Sequence, residues 1–290
     1  MSYVGRFAPS PTGPLHYGSF VAAIASFLDA RHAGGKWLLR IEDLDPPRES
    51  MDSPREIIRQ LLALGLNWDL EIVYQSSRLN SYDAALESIQ RFTFPCTCSR
   101  KEVPDIYPGT CRQNKHYAPV EPYAVRLEVP THSVSINDRC LGLRTWDLEK
   151  EVGDFVIKRK DGLHAYQLAV VVDDIHHSVS HVVRGNDLLN STPRQLALYE
   201  HLEVSPPEYL HIPVLVDEWG NKLSKQAHAK PVDTSDALTT IRSALSDLGQ
   251  NTHEYSLNIE ELLEKAVSSW NPAIIPNVHD ICAPKAYLSN

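Results

Sequence analysis

The sequence has few cysteines, no long apolar run and no excess of positive charge. None of its apolar runs approaches the about 18 residues that suggest a membrane-spanning helix. The N-terminus leads directly into a predicted strand, without the basic and apolar regions of a signal peptide. The formal net charge is −9, from 37 acidic and 28 basic residues, which argues against a broad nucleic-acid-coating surface. We therefore expect a cytoplasmic protein that contacts no membrane, with any nucleic-acid contact confined to a local basic patch.

The five cysteines restrict the chemistry further. Their number is odd and one residue separates Cys96 from Cys98, which fits a metal site or free thiols in a reducing compartment better than a disulfide framework. Cys96, Cys98 and Cys111 lie in a proline-rich segment too short to form its own core, so a metal crosslink would stabilise it. The fourth ligand is open between Tyr107 and His116, and side-chain chemistry alone favours the imidazole. No acid or base lies nearby, so we expect a structural metal.

The most informative segment follows the first predicted strand, at residues 3–7. Three prolines and a glycine within residues 9–14 exclude both helix and strand, so the chain must form a loop there. Apolar residues at helical spacing then predict a helix with Phe20, Ala23, Ile24, Phe27 and Leu28 on its buried face. The loop would place His16, Gly18 and Ser19 at the N-terminus of this helix, where free N–H groups and the helix dipole favour phosphate.

Two sequence motifs resemble the signatures of class I aminoacyl-tRNA synthetases. Residues 6–13, Arg-Phe-Ala-Pro-Ser-Pro-Thr-Gly, with Leu-His-Tyr-Gly at 15–18, resemble the first signature, HIGH, in its glutamyl form. Residues 222–226, Lys-Leu-Ser-Lys-Gln, resemble the second, KMSKS, with leucine and glutamine replacing methionine and the final serine. Both lysines remain, and a mobile cation pair can follow charge from triphosphate to pyrophosphate. The predicted ATP site comprises His16, Gly18, Ser19 and Lys225, and the predicted catalytic residues are His16, Lys222 and Lys225.

Further segments resemble the glutamate site of glutamyl-tRNA synthetases. Residues 40–45, Arg-Ile-Glu-Asp-Leu-Asp, end a buried-type strand, and ligands bind at such ends in open parallel sheets. By the resemblance, Glu42 meets the substrate ammonium, and Tyr166 and Arg184 hold the amino acid. Arg6 is a second candidate, besides Arg184, for binding the side-chain carboxylate of the substrate, because a planar guanidinium binds a carboxylate in a bidentate manner. The predicted glutamate site comprises Arg6, Ala8, Ser10, Glu42, Tyr166 and Arg184.

Alternating strands and helices predict an α/β fold with a Rossmann-like, doubly wound parallel sheet. We expect the first half of this catalytic domain at 1–95 and a zinc-containing, β-rich insertion at 96–150. The second half, with the Lys-Leu-Ser-Lys-Gln loop, would occupy 151–230, and a short helical region 231–290. Only 65 residues follow Lys225, whereas a full glutamyl-tRNA synthetase has a large helical anticodon-binding region there.

The chain to about residue 230 therefore resembles the truncated relatives of glutamyl-tRNA synthetase, the glutamyl-Q tRNA(Asp) synthetases. That family shows Cys-x-Cys and then Tyr-x-x-x-Cys with a tyrosine ligand, which favours Tyr107 over His116. The resemblance implies one structural zinc ion held by Cys96, Cys98, Tyr107 and Cys111. It also implies activation of L-glutamate by ATP with Mg²⁺, without tRNA, and transfer to the cyclopentenediol of queuosine in the tRNA(Asp) anticodon. We expect a monomer.

Three alternatives remain at this stage. A conventional glutamyl-tRNA synthetase would use the same pocket but acylate the 3′ end of its tRNA. Another class I-like nucleotidyltransferase would share the loop of His16 but need not carry Glu42, Tyr166 and Arg184. A non-catalytic, zinc-containing tRNA-binding module could keep the fold and lose the chemistry, although retention of His16 and of both lysines argues against it.

Overall fold

The computed structural model describes residues 2–99, 101–103, 105–114, 119–120, 122–223 and 230–287. The described helices are α1 (Tyr17–His32), α2 (Ser53–Ala63), α3 (Leu79–Ser88), α4 (Tyr166–His176), α5 (Thr192–His201), α6 (Ala237–Asp247) and α7 (Ile259–Ser269). The described strands are β1 (Val4–Phe7), β2 (Lys36–Ile41), β3 (Val73–Tyr74), β4 (Thr93–Cys96), β5 (Ala124–Leu127), β6 (Ser133–Asp138), β7 (Gly142–Asp147), β8 (Phe155–Lys158), β9 (His181–Gly185), β10 (Glu208–Ile212), β11 (Val214–Val216) and β12 (Asp280–Cys282). Among these residues, no helix is both long and apolar enough to cross a bilayer.

Parallel strands form the centre of the molecule, as predicted. Strand β2 lies between β1 and β3 and pairs in parallel with both. Strands β9 and β10 form a second parallel pair. The two groups meet where the backbone N–H of Ser180 donates to the carbonyl of Val4 at 2.9 Å. The predicted α/β fold is therefore confirmed.

Helix α1 packs against the strands through the predicted face, and all five of its predicted inward residues are buried. Helices α6 and α7 lie within the predicted helical region at 231–290, and Leu245 of α6 and Leu262 of α7 belong to the same apolar core as α1. Strand β12 pairs in parallel with β11, a contact that the sequence did not predict. The C-terminal segment thus adds a strand next to the segment that precedes Lys222.

Antiparallel strands occupy the region between α3 and α4. Strand β5 pairs with β4 and β8, and β6 forms a hairpin with β7. The buried carboxylate of Asp138, the last residue of β6, accepts backbone N–H groups of Leu141 at 2.8 Å and of His211 on β10 at 3.1 Å. These bonds fix the end of the hairpin to a central strand.

Candidate active site

A cleft of about 640 Å³ lies where β1, β2, β9 and β10 end. Side chains from the loop before α1, from the start of α4 and from the segment after β11 also line it. It brings together all the predicted glutamate, ATP and catalytic residues that the structure describes: Arg6, Ala8, Ser10, His16, Gly18, Ser19, Glu42, Tyr166, Arg184 and Lys222. Lys225 lies outside the described residues.

His16 caps the N-terminus of α1. Its Nδ1 accepts the backbone N–H of Ser19 at 3.2 Å, so the ring proton of the neutral imidazole is on Nε2, which lies 2.9 Å from Ser19 Oγ. A Cβ atom at Gly18 would lie 3.3 Å from this imidazole, so glycine gives the ring room. The first turn of α1 has no acidic residue, and its N–H groups present positive potential to the cleft. The arrangement suits a phosphate, with Nε2–H as a further donor.

Lys222 reaches the wall of the cleft from the segment after β11. Its Nζ lies 2.5 Å from Oδ2 of Asp187. A Cβ at Gly185 would lie too close to the other carboxylate oxygen of Asp187, so a larger residue there would displace this carboxylate from its present position. The sequence gave no signal that Asp187 would contact this lysine.

Arg6 and Arg40 share the buried carboxylate of Asp174. Arg6 donates to it from Nε at 3.3 Å and from Nη2 at 3.5 Å, and Arg40 donates from Nη1 at 2.6 Å. Burial raises the pKa of Asp174, but the charges and hydrogen bonds of the two guanidinium groups outweigh it, so the net pKa shift is downward. Asp174 is therefore ionised, and it holds the guanidinium of Arg6, which lines the cleft near the end of β1.

Glu42 is a buried carboxyl group that lines the cleft. Arg40 Nη2 donates to its Oε1 at a long 3.4 Å. Burial raises the pKa of Glu42 to about 7, even though Arg40 and Arg6 act in the opposite direction. Tyr166 lies nearby, and burial together with the charge of Glu42 raises the pKa of its hydroxyl. A cationic ligand group would therefore favour the ionised form of Glu42.

Arg184 is buried and held by neutral acceptors. Its guanidinium donates to His211 Nε2 at 3.0 Å, to Gln195 Oε1 at 2.9 Å and to Thr192 Oγ1 at 2.9 Å. No carboxylate within the described parts of the chain forms an ion pair with it. A buried charge without a counterion is costly, so this site favours an anionic ligand. The sequence indicated Arg184 through its motif but gave no indication of the three acceptors.

The predicted metal ligands also come together. The Sγ atoms of Cys96, Cys98 and Cys111 all lie within 4.8 Å of one another. The Tyr107 hydroxyl lies 3.6 Å from Cys96 Sγ and 3.9 Å from Cys98 Sγ, and it accepts the backbone N–H of Cys111 at 2.7 Å. Three sulfur atoms and one oxygen at these separations fit a single tetrahedral ion such as zinc. The alternative ligand, His116, lies outside the described residues.

A second cavity of about 760 Å³ extends from the cleft towards this cysteine cluster. Ser10, Glu42 and Tyr166 line both spaces. Arg126 on its wall is buried, and its guanidinium lies 3.9 Å from the centre of the Tyr107 ring. Its Nε has no hydrogen-bond partner among the described residues. The cavity is thus a polar space, lined by both acidic and basic side chains, next to the predicted glutamate-binding residues. The sequence did not predict it.

Comparison with known proteins defines the class. Residues 3–106 and 109–245 match the family of tRNA synthetases class I (E and Q), catalytic domain. A glutamate-tRNA synthetase structure from Elizabethkingia anophelis superposes with a TM-score of 0.82 and 23% identity, covering 99% of this chain and 69% of that one, which supports the fold.

More similar relatives identify the group within this class to which the chain belongs. The glutamyl-Q tRNA(Asp) synthetase of Pseudomonas fluorescens is 44% identical, over 99% of this chain and 98% of its own length. The protein of that name from Chromobacterium violaceum is 47% identical, over 94% of this chain and 95% of its own. The chain therefore belongs to the class I tRNA synthetase family and, within it, to the glutamyl-Q tRNA(Asp) synthetases.

Proposed function

We propose that the protein activates L-glutamate with ATP, without tRNA, and transfers it to the cyclopentenediol of queuosine in the anticodon of tRNA(Asp). One observation supports this most strongly. The buried guanidinium of Arg184, which has no carboxylate partner among the described residues, and the buried carboxyl of Glu42 line one cleft, which suits a ligand carrying both a carboxylate and an ammonium. The names of the relatives, which refer to glutamyl-Q and tRNA(Asp), support the proposed acceptor.

Activation joins glutamate to the α-phosphorus of ATP. The α-carboxylate oxygen of glutamate forms the new bond to phosphorus, the bond to the bridging oxygen breaks, and pyrophosphate leaves. The reaction needs positioning and charge stabilisation rather than an enzyme nucleophile. The N-terminus of α1 and the Nε2–H of His16 would contact phosphate oxygens, and Lys222 would exchange Asp187 for the departing pyrophosphate. Lys225 would assist from the same loop, and Mg²⁺ bound to ATP would neutralise further charge.

Transfer then requires a second substrate to reach the glutamyl carbonyl. A hydroxyl oxygen of the cyclopentenediol attacks the carbonyl carbon, and the bond from this carbon to the phosphate oxygen of AMP breaks. The ester forms, AMP leaves, and the hydroxyl proton passes to the phosphate of AMP or to water. The cavity that shares Ser10, Glu42 and Tyr166 with the cleft offers a route to this carbon. Its buried Arg126 supplies a local positive charge that a nucleic acid can use in a protein of net charge −9.

A zinc ion would fit the cluster of Cys96, Cys98, Tyr107 and Cys111 in a structural role. When bound, it would crosslink residues 96–111 and so fix one wall of the second cavity. None of these four residues lines the cleft that contains the predicted ATP-binding residues, so the ion would take no part in activation.

Exchange of labelled pyrophosphate into ATP tests the activation step. With purified protein, Mg²⁺ and no tRNA, exchange should depend on glutamate, and aspartate or glutamine should support it poorly. Exchange that requires tRNA, or that glutamine supports as well as glutamate, would overturn this part of the proposal.

A further inference from the structure

The three acceptors that hold Arg184 have a feature in common. His211, Gln195 and Thr192 are almost completely buried, like Arg184 itself, and none of the three is an acid. They fix the plane of the guanidinium without cancelling its charge. A carboxylate in the same place would orient Arg184 equally well but would also neutralise it.

His211 can accept from Arg184 in one protonation state only. Its Nε2 lies 3.0 Å from Arg184 Nε, which always carries a proton, so Nε2 must be unprotonated. The ring proton is therefore on Nδ1, which lies 2.6 Å from Asp138 Oδ2. Burial lowers the pKa of His211, in agreement with a neutral ring.

Asp138 is itself held in place from outside the cleft. It ends β6 and accepts the backbone N–H groups of Cys140, Leu141 and His211. The carboxylate of Asp138 therefore orients the imidazole of His211, and this imidazole lies between Asp138 and Arg184. The hairpin of β6 and β7 is thereby linked to the glutamate pocket.

We propose that His211, with its tautomer set by Asp138, is a positioning residue that holds Arg184 as an un-neutralised cation for the substrate's side-chain carboxylate. This inference rests on the proposed function of the cleft. It assigns part of the discrimination between glutamate and glutamine to His211, because the side chain of glutamine offers no charge to the guanidinium where Arg184 lines the cleft.

A matched pair of polar variants tests the inference. In His211→Gln the side-chain oxygen can reach the position of Nε2 and still accept from Arg184. In His211→Asn the amide reaches only the position of Nδ1, next to Asp138. We expect His211→Asn to raise the glutamate KM in pyrophosphate exchange about tenfold and to lower the preference for glutamate over glutamine. In His211→Gln, the glutamate KM and the preference for glutamate should stay close to those of the unmodified protein. The ATP KM should stay within about twofold of its normal value in both variants.

Failure of the inference and failure of the proposed function would give different results. A wild-type glutamate KM in His211→Asn would overturn the inference, as would equal losses in both variants or a parallel rise in the ATP KM. Absence of glutamate-dependent exchange in the unmodified protein would instead overturn the proposed function. Measuring the thermal midpoint of each variant separates loss of fold from loss of positioning, since the inference requires the KM effect in a folded protein.

Discussion

The ammonium of Lys222 and the carboxylate of Asp187 form an ion pair, 2.5 Å apart, on the wall of the cleft. The side chain of Lys222 is 49% exposed and that of Asp187 is 30% exposed, so the pair contributes little to stability. Its effect is to keep the lysine near the predicted phosphate site in the absence of ATP. A bound triphosphate can replace Asp187 at small cost.

Lys222→Ala should therefore impair chemistry without impairing the fold. We expect the kcat of pyrophosphate exchange to fall about 100-fold, because a cation that follows the developing charge is lost. The thermal midpoint should change by no more than about 2 °C. Asp187→Asn is the matched control, since it keeps the lysine and should lower the ATP KM by removing a competing anion. A normal kcat in Lys222→Ala would contradict the proposed role.

The pKa of Glu42 predicts how glutamate binding depends on pH. Burial raises it to about 7, and the substrate ammonium binds the ionised carboxyl. The glutamate KM should consequently fall as the pH rises from about 6 to about 8, approaching tenfold per unit below the pKa and levelling off above it. Glu42→Gln should show a high KM without this dependence. A flat profile in the unmodified protein would exclude Glu42 as the ammonium partner.

Arg184→Leu and Arg184→Lys separate charge from geometry. The leucine variant should lose most glutamate activation, since the proposed carboxylate partner is removed. The lysine variant keeps the charge but cannot satisfy the three acceptors, so we expect a glutamate KM raised at least about tenfold. Kinetics of exchange at saturating ATP provide the measurement. Normal glutamate kinetics in Arg184→Leu would refute the assignment.

Tyr107→Phe and His116→Ala distinguish the two candidate metal ligands. Because the Tyr107 hydroxyl lies among the three thiols, its removal should speed the loss of metal to a chelator. His116→Ala should leave metal retention unchanged. The measurement is the metal content of each variant after a fixed exposure to chelator. Faster metal loss from His116→Ala than from Tyr107→Phe would favour the imidazole as the fourth ligand.

The sequence predicted the elements whose patterns are local. The apolar spacing in α1 and the prolines and glycine before it were sufficient for the helix and its loop, and the cysteine spacing was sufficient for the cluster. The ends of strands were not predictable in this way, and strand β3 pairs with β2 through Val73–Tyr74 alone. Neighbouring strands determine where pairing stops, and they are distant in sequence.

What the sequence did not predict are contacts between distant polar residues. Asp138 and His211 are 73 positions apart, and Lys222 and Asp187 are 35 apart. No spacing rule relates such residues, because the fold alone brings them together. Strand β12 is similar, since three residues that pair with β11 carry no pattern of their own.

The most direct test of the account is transfer of labelled glutamate, with ATP, to two tRNA pools. One pool should carry its normal modifications, and the other should come from cells unable to make queuosine. We predict label in the modified pool alone, and we predict that it survives removal of the 3′ terminal nucleotides. Label in both pools that disappears with the 3′ end would contradict the account and indicate a conventional glutamyl-tRNA synthetase.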